Sequence, residues 1–178
     1  AVDIGPKLTL ITVDVFHHHR DGVRLGVFTQ QLTWLRRTIR AAKAAGRVVI
    51  VQGHIPIMEP VRLLASGGLH IPEGTDSTLY DALESEGADF YFCGEVHDTT
   101  AWQRGTSSVV QISHGCIFRY AFNYLVGTVY NDGTTRLDYY EMPVLRASHE
   151  RDLWSCDSKK MQRTEIEYGD PTLRGTMT

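Results

Sequence analysis

Three residues of this chain have types and spacing suited to metal chemistry. His54 follows the run Val48-Val49-Ile50-Val51-Gln52-Gly53, and Glu95 and His97 follow Asp89-Phe90-Tyr91-Phe92-Cys93-Gly94. Imidazole and carboxylate are donors that zinc, iron and manganese accept. His54, Glu95 and His97 are therefore the candidate metal ligands, and Glu95-Val96-His97 is compact enough to serve adjacent ions. No residue can be given a catalytic role from sequence.

The elements that must position these ligands are short apolar runs. Each reads as a buried strand ending in glycine, and glycine lets the chain turn so that the next side chain points into a crevice. In open α/β sheets, ligands collect beyond the carboxyl ends of the strands. Strands are predicted over residues 8–14, 47–52 and 89–93, with an amphipathic helix over 29–45 carrying Leu32, Leu35, Ile39 and Ala42 on one face. Thr29 is its expected N-cap and Gly46 its stop. A second helix is predicted over about 77–86, ending at Gly87. This alternation is the α/β signature. Strands are also predicted over 109–113, 124–130 and 135–142, the last two joined by the hairpin signal Asn131-Asp132-Gly133. The domain is read as residues 1–145, and residues 146–178 as a polar tail or edge extension.

Other reactive side chains have plainer readings. His17-His18-His19 cannot converge on one ion, because consecutive side chains diverge, and Arg20-Asp21-Gly22 beside them marks a solvated loop. Cys93 lies in an apolar run and reads as a small buried hydrophobe. A thiol nucleophile at Cys93, Cys116 or Cys156 has no positional support. Residues 55–75 read as a loop whose Met58, Glu59, Arg62, His70 and Glu73 carry no recognisable substrate code.

Gly53-His54-Ile55-Pro56 and Gly94-Glu95-Val96-His97-Asp98 resemble the last two motifs of the calcineurin-like metallophosphoesterases, Gly-His and Gly-His-x-His, with Glu95 where the first histidine of the final motif is expected. Val2 to Asp14 resembles the strand that follows the family's Asn-His motif, and Gln31-Leu32-Thr33-Trp34-Leu35 its Gln-x-x-Trp-Leu helix opening. The resemblance runs from residue 1 to about residue 130. The family's Asp-x-His, Gly-Asp-x-x-Asp and Gly-Asn-His motifs do not occur, so the chain looks like the carboxyl-terminal half of such a domain.

The resemblance implies part of a four-layer αββα sandwich, with a mixed sheet and a carboxyl-terminal antiparallel meander. It implies metal-dependent hydrolysis of phosphomonoesters or phosphodiesters, and one ion or none, of Mn, Fe or Zn, on His54, Glu95 and His97. Glu95 makes the site harder and more anionic. With no bridging carboxylate, the chain alone is expected to be weakly active or inactive. The partners implied are a phosphoester substrate and a complementing amino-terminal half or a second copy. The alternative is a non-catalytic module that associates through its uncovered sheet. His114-Gly115 resembles a pair near the family domain's end, read either as a phosphate contact or as a structural histidine.

Composition limits the alternatives. With 178 residues, 42% hydrophobic and 22% charged, the chain has the makings of a soluble domain with a real core. A net charge of -3 leaves no footprint for non-specific nucleic-acid binding. No apolar run is long enough to span a bilayer, and no targeting segment is read in the chain, which favours the cytoplasm but leaves the compartment open. Three cysteines, an odd number without metal-type spacing, argue against a disulfide framework.

Overall fold

A computed structural model of the chain describes residues 1–58, 69–96, 99–114, 121–147, 156–157, 160–161 and 166–178. The protein is mixed α/β and divides into two units, Ala1–His114 with Val129–Thr135, and Gly115–Thr128 with Arg136–Thr178.

The first unit runs β1 (Val2–Ile4), β2 (Leu8–Thr12), β3 (Phe16–His19), β4 (Gly22–Leu25), α1 (Thr29–Ala44), β5 (Val48–Gln52), α2 (Thr78–Glu86), β6 (Phe90–Cys93), β7 (Thr100–Gln103) and β8 (Val110–Ser113). Its six-stranded sheet has the order β1-β2-β5-β6-β8-β7. The inner strands β2, β5, β6 and β8 are parallel, and the edges β1 and β7 antiparallel. Parallel strands joined by helical crossovers are covered by those helices, which is why β5 is apolar along almost its whole length. Ile11, Val51 and Tyr91 lie in register across β2, β5 and β6. All three belong to the core formed with Leu35, Ile39 and Ala42 of α1 and Leu79 and Leu83 of α2.

Both helices lie close to their predicted bounds. Ser77 caps α2 by accepting the Tyr80 N–H at 3.1 Å, and Gly87 ends the helix in the left-handed region. Gly46, at φ 70°, ends α1 as expected. The N-cap of α1 differs from expectation. Extended Phe28 occupies the cap without a side-chain bond, and Thr29 enters the first turn at φ 46°.

The histidine triplet also differs from the loop reading. His17–His19 lie on β3, which pairs with β4 as a separate two-stranded sheet. Alternation could not announce this strand, because its anchors are Phe16 and Leu25, half-buried against the core, while the histidines are exposed. The edges β1 and β7 were not anticipated either; β1 is short and exposed along its length. No helix among the described residues is long and apolar enough to cross a membrane.

The second unit is antiparallel. It contains β9 (Ala121–Val129), β10 (Thr135–Ala147), β11 (Cys156–Asp157), β12 (Lys160–Met161), β13 (Ile166–Tyr168) and β14 (Thr172–Met177). β9 pairs with β10, and β10 pairs with β14 over Leu137–Glu141 and with β13 over Val144–Ala147. The expected turn between β9 and β10 lies in Val129–Thr135, which belongs to the first unit, with Gly133 at φ 91° and the Tyr130 N–H donating to the Thr134 carbonyl at 2.9 Å. Residues beyond 146, read from sequence as a tail or edge extension, supply β13 and β14.

Asp89 accepts the Val49 N–H at 2.8 Å and takes Lys43 Nζ on both oxygens, at 2.9 and 2.8 Å. Asp89→Ala leaves the N–H of a fully buried residue without a partner and is expected to cost about 1–3 kcal/mol. Asp89→Asn keeps an acceptor and should recover most of the loss in urea unfolding. On β10, the Thr176 hydroxyl and then Arg136 hold the Asp138 carboxyl below the usual carboxylate range. A folded value below the unfolded one stabilises above the unfolded pKa of about 4 and is lost as pH falls through the lower folded value. Acid unfolding of Asp138→Asn should therefore lack that component.

Candidate functional site

The parallel register Ile50↔Phe90, Val51↔Tyr91 and Gln52↔Phe92 ends β5 and β6 side by side. The following loops stay in contact: the Gly53 N–H donates to the Phe92 carbonyl and the Gly94 N–H to the His54 carbonyl, both at 3.0 Å. This brings His54 Nε2 to 3.0 Å from Glu95 Oε2. The two side chains differ in access, His54 being 51% exposed and Glu95 8%.

Glu95 is the unusual residue. The Val96 N–H bonds the Gly94 carbonyl around it, and its φ is 51°. That i to i+2 bond marks a tight turn, and a non-glycine residue in this region is strained by roughly 1–3 kcal/mol. Its Oε1 is buried with no hydrogen-bond partner among the described residues. A buried carboxylate oxygen without a partner is costly, so the site is one where a cation or donor would be stabilised. Two donor atoms each about 2.1 Å from one ion lie about 3 Å apart at the right angle of an octahedral site and about 3.4 Å apart at the tetrahedral angle of zinc. The observed 3.0 Å is that of a direct hydrogen bond and also fits an octahedral ion, and a small outward shift would fit a tetrahedral one.

The loops are held by groups that are silent in a motif search. The buried Tyr91 hydroxyl donates to the Ile55 carbonyl at 2.7 Å. A Cβ on Gly53 would lie 2.5 Å from that hydroxyl and 3.0 Å from Val15 Cγ1, so any larger residue before His54 would have to displace the tyrosine. A Cβ on Gly94 would lie 2.9 Å from His54 Nδ1. Buried Gln111 accepts the Ile57 and Met58 N–H groups at 2.7 and 2.9 Å and donates to the Met58 carbonyl at 2.8 Å. Ile55, Ile57 and Met58 are consequently core residues, although sequence reads this stretch as open loop. Phe16 stacks on His54 with ring centroids 6.1 Å apart. A polar side chain inside each apolar run, Tyr91 and Gln111, was the available signal, since a buried polar group needs a specific partner.

The structure brings His54 and Glu95 together. His97 lies outside the described residues, as do Asp98, Glu59, Arg62 and Cys116. Among the described residues, no group of three or more His, Cys, Asp and Glu side chains could hold a metal ion. His114 follows β8, its N–H donating to the Cys93 carbonyl at 3.3 Å and its ring meeting Phe92 edge-on. Desolvation there holds its pKa below the usual imidazole value. Cys93 is buried as expected, and burial pushes its thiol pKa up to about 12, which removes it as a nucleophile.

No family model matches this chain. No curated protein matches it. Solved structures do show likeness. A dimetal phosphatase from Danio rerio is 16% identical with a TM-score of 0.47, over 65% of this chain and 35% of that one. GAP50, the anchor in the inner membrane complex of Plasmodium, is 12% identical with a TM-score of 0.45, over 92% and 50%. A protein assigned as a 5'-nucleotidase from Staphylococcus aureus, in complex with alpha-ketoglutarate, is 14% identical with a TM-score of 0.35, over 97% and 28%. The chain thus spans half or less of the length of each of these structures.

Gly53 and Tyr91 should be coupled energetically. Gly53→Ala forces a methyl against a buried hydroxyl and is expected to cost about 1–3 kcal/mol. Tyr91→Phe strands the Ile55 carbonyl at a similar cost. Since the second change removes the atom that the first clashes with, the double variant should be less destabilised than the sum in a urea-unfolding cycle.

Proposed function

We propose that this chain carries part of the metal centre of a metallophosphoesterase-like hydrolase acting on phosphomonoesters or phosphodiesters. His54 and Glu95 would hold one ion of Mn, Fe or Zn, and His97 would extend the donor set. The observation that carries this reading is the convergence of an imidazole nitrogen and a carboxylate, 41 residues apart, at 3.0 Å beyond the ends of adjacent parallel strands. The unpartnered, buried Glu95 Oε1 supports it, as does the resemblance of the Gly53-His54 and Gly94-Glu95-Val96-His97 motifs. The four-layer sandwich belongs to the same proposal.

When bound, such an ion supplies Lewis-acid stabilisation of phosphoryl charge. The chain's own residues then have simple tasks. His54 and Glu95 bind, Glu95 bringing negative charge into a buried position; Tyr91 and Gln111 fix the loop that carries His54; Phe16 shields one side of the imidazole. No second carboxylate bridges two ions in this chain's motifs, so hydrolysis by the chain alone should be low. Completion by an amino-terminal half would raise it. A second reading, association of the chain with itself, is favoured by the exposed apolar edge strand β1, where Val2 and Ile4 are 55% and 50% accessible.

Elemental analysis of the purified chain should find bound transition metal in the wild type and none in His54→Ala or Glu95→Ala. A metal-free wild type that also fails to take up Mn²⁺ or Zn²⁺ by titration would sink the metal reading. A dimer mass unaffected by either change would then support the association reading.

A further inference from the structure

We infer that Gln31 is a positioning residue for His54, acting through Asp14 and Phe16. This rests on the reading of His54 as a metal ligand but is testable without it. The Gln31 side chain lies in the first turns of α1 and pairs with the main chain of Asp14 on both sides. Its Oε1 accepts the Asp14 N–H at 2.8 Å, and its Nε2 donates to the Asp14 carbonyl at 2.9 Å. Asp14 Oδ1 in turn accepts the Phe16 N–H at 2.9 Å. This is the side-chain turn by which aspartate fixes the backbone two residues on. These three hydrogen bonds, together with the Gly26 N–H donating to the Val15 carbonyl at 2.9 Å and the pairing of Phe16 with Leu25, fix residues 14–16 at the point where the chain leaves the β2 end of the sheet for β3.

The consequence is felt at the imidazole. Phe16 stacks on His54 at 6.1 Å with an interplanar angle of 30°, within the range of favourable offset aromatic pairs. Gly94 lies against Nδ1, and Glu95 meets Nε2. Two of these neighbours come from the loop after β6; Phe16 is the contact supplied from the β2 side of the sheet. With a side chain half open to solvent, the ring needs that contact to keep Nε2 aimed at Glu95. Groups that orient a metal-binding histidine commonly change metal affinity by 10–100-fold when removed.

The network acts in series, which sets the experiment. The ¹H–¹⁵N imidazole signals of His54 and the Zn²⁺ affinity would be measured in wild type, Gln31→Met, Phe16→Leu, Phe16→Tyr and the double variant Gln31→Met/Phe16→Leu. Gln31→Met changes a side chain whose hydrogen bonds go to Asp14 and not to the imidazole, yet should move the His54 signals and weaken Zn²⁺ binding about tenfold. Phe16→Leu should do the same, Phe16→Tyr should restore wild-type behaviour, and the double variant should be no worse than Phe16→Leu. Wild-type His54 signals in Gln31→Met, or additive losses in the double variant, would overturn the inference. If Gln31→Met fails to fold, Gln31→Glu, which keeps the acceptor for the Asp14 N–H, should show a smaller displacement, and none would overturn it. A wild type that binds no Zn²⁺ would defeat the metal reading, while the imidazole signals would still decide the role of Gln31.

Discussion

The site depends on one steric constraint, the Tyr91 hydroxyl standing where a Cβ of Gly53 would be. The tyrosine is fully buried, so its hydroxyl must be bonded, and the Ile55 carbonyl is its partner. The same atom thereby crowds any side chain at position 53 and holds the backbone two residues later. His54 lies between those two points. From the neighbouring strand, Gln111 fastens Ile57 and Met58 in the same way, with one side-chain amide satisfying three backbone groups. Residues 53–58 are therefore tied by side-chain hydrogen bonds to β6 and β8.

Against this background Glu95 is the expensive residue. It combines a left-handed backbone, a buried carboxylate and an oxygen without a hydrogen bond among the described residues. Each feature costs free energy, and a buried carboxylate is tolerated when positive charge or donors meet it. His54 Nε2 meets one oxygen; the other is buried without a partner among the described residues. Strain of this kind persists where surrounding structure over-determines a residue, and here Gly94 is bonded to the His54 carbonyl while the Val96 N–H closes the turn.

The two units build their sheets by different rules. In the first, helices cover parallel strands, and the candidate ligands His54 and Glu95 lie where those strands end. In the second, β10 is long enough to serve two partners in succession, β14 along one stretch and β13 along the next, with a register irregularity between Tyr139 and Tyr140. Aromatic pairs reinforce it, Tyr124 stacking on Tyr140 at 5.3 Å and Phe122 meeting Tyr168 edge-on.

Sequence by itself determined the parallel strands, both helices and the turn at Asn131-Asp132-Gly133, because apolar runs, 3.6-residue periodicity and turn glycines are local signals. It also singled out His54 and Glu95, since a ligand-type residue directly after a strand-ending glycine is visible in one dimension. The strands β1, β3 and β7 were not legible: exposed edges and hairpins carry no alternation when only one or two of their residues touch a core. Tertiary structure alone decided that Tyr91 crowds position 53, that Gln111 satisfies a loop more than fifty residues away, and that Phe16 rests on His54. Those are contacts between distant segments, and a polar residue in an apolar run announces only that it needs a partner, not which one.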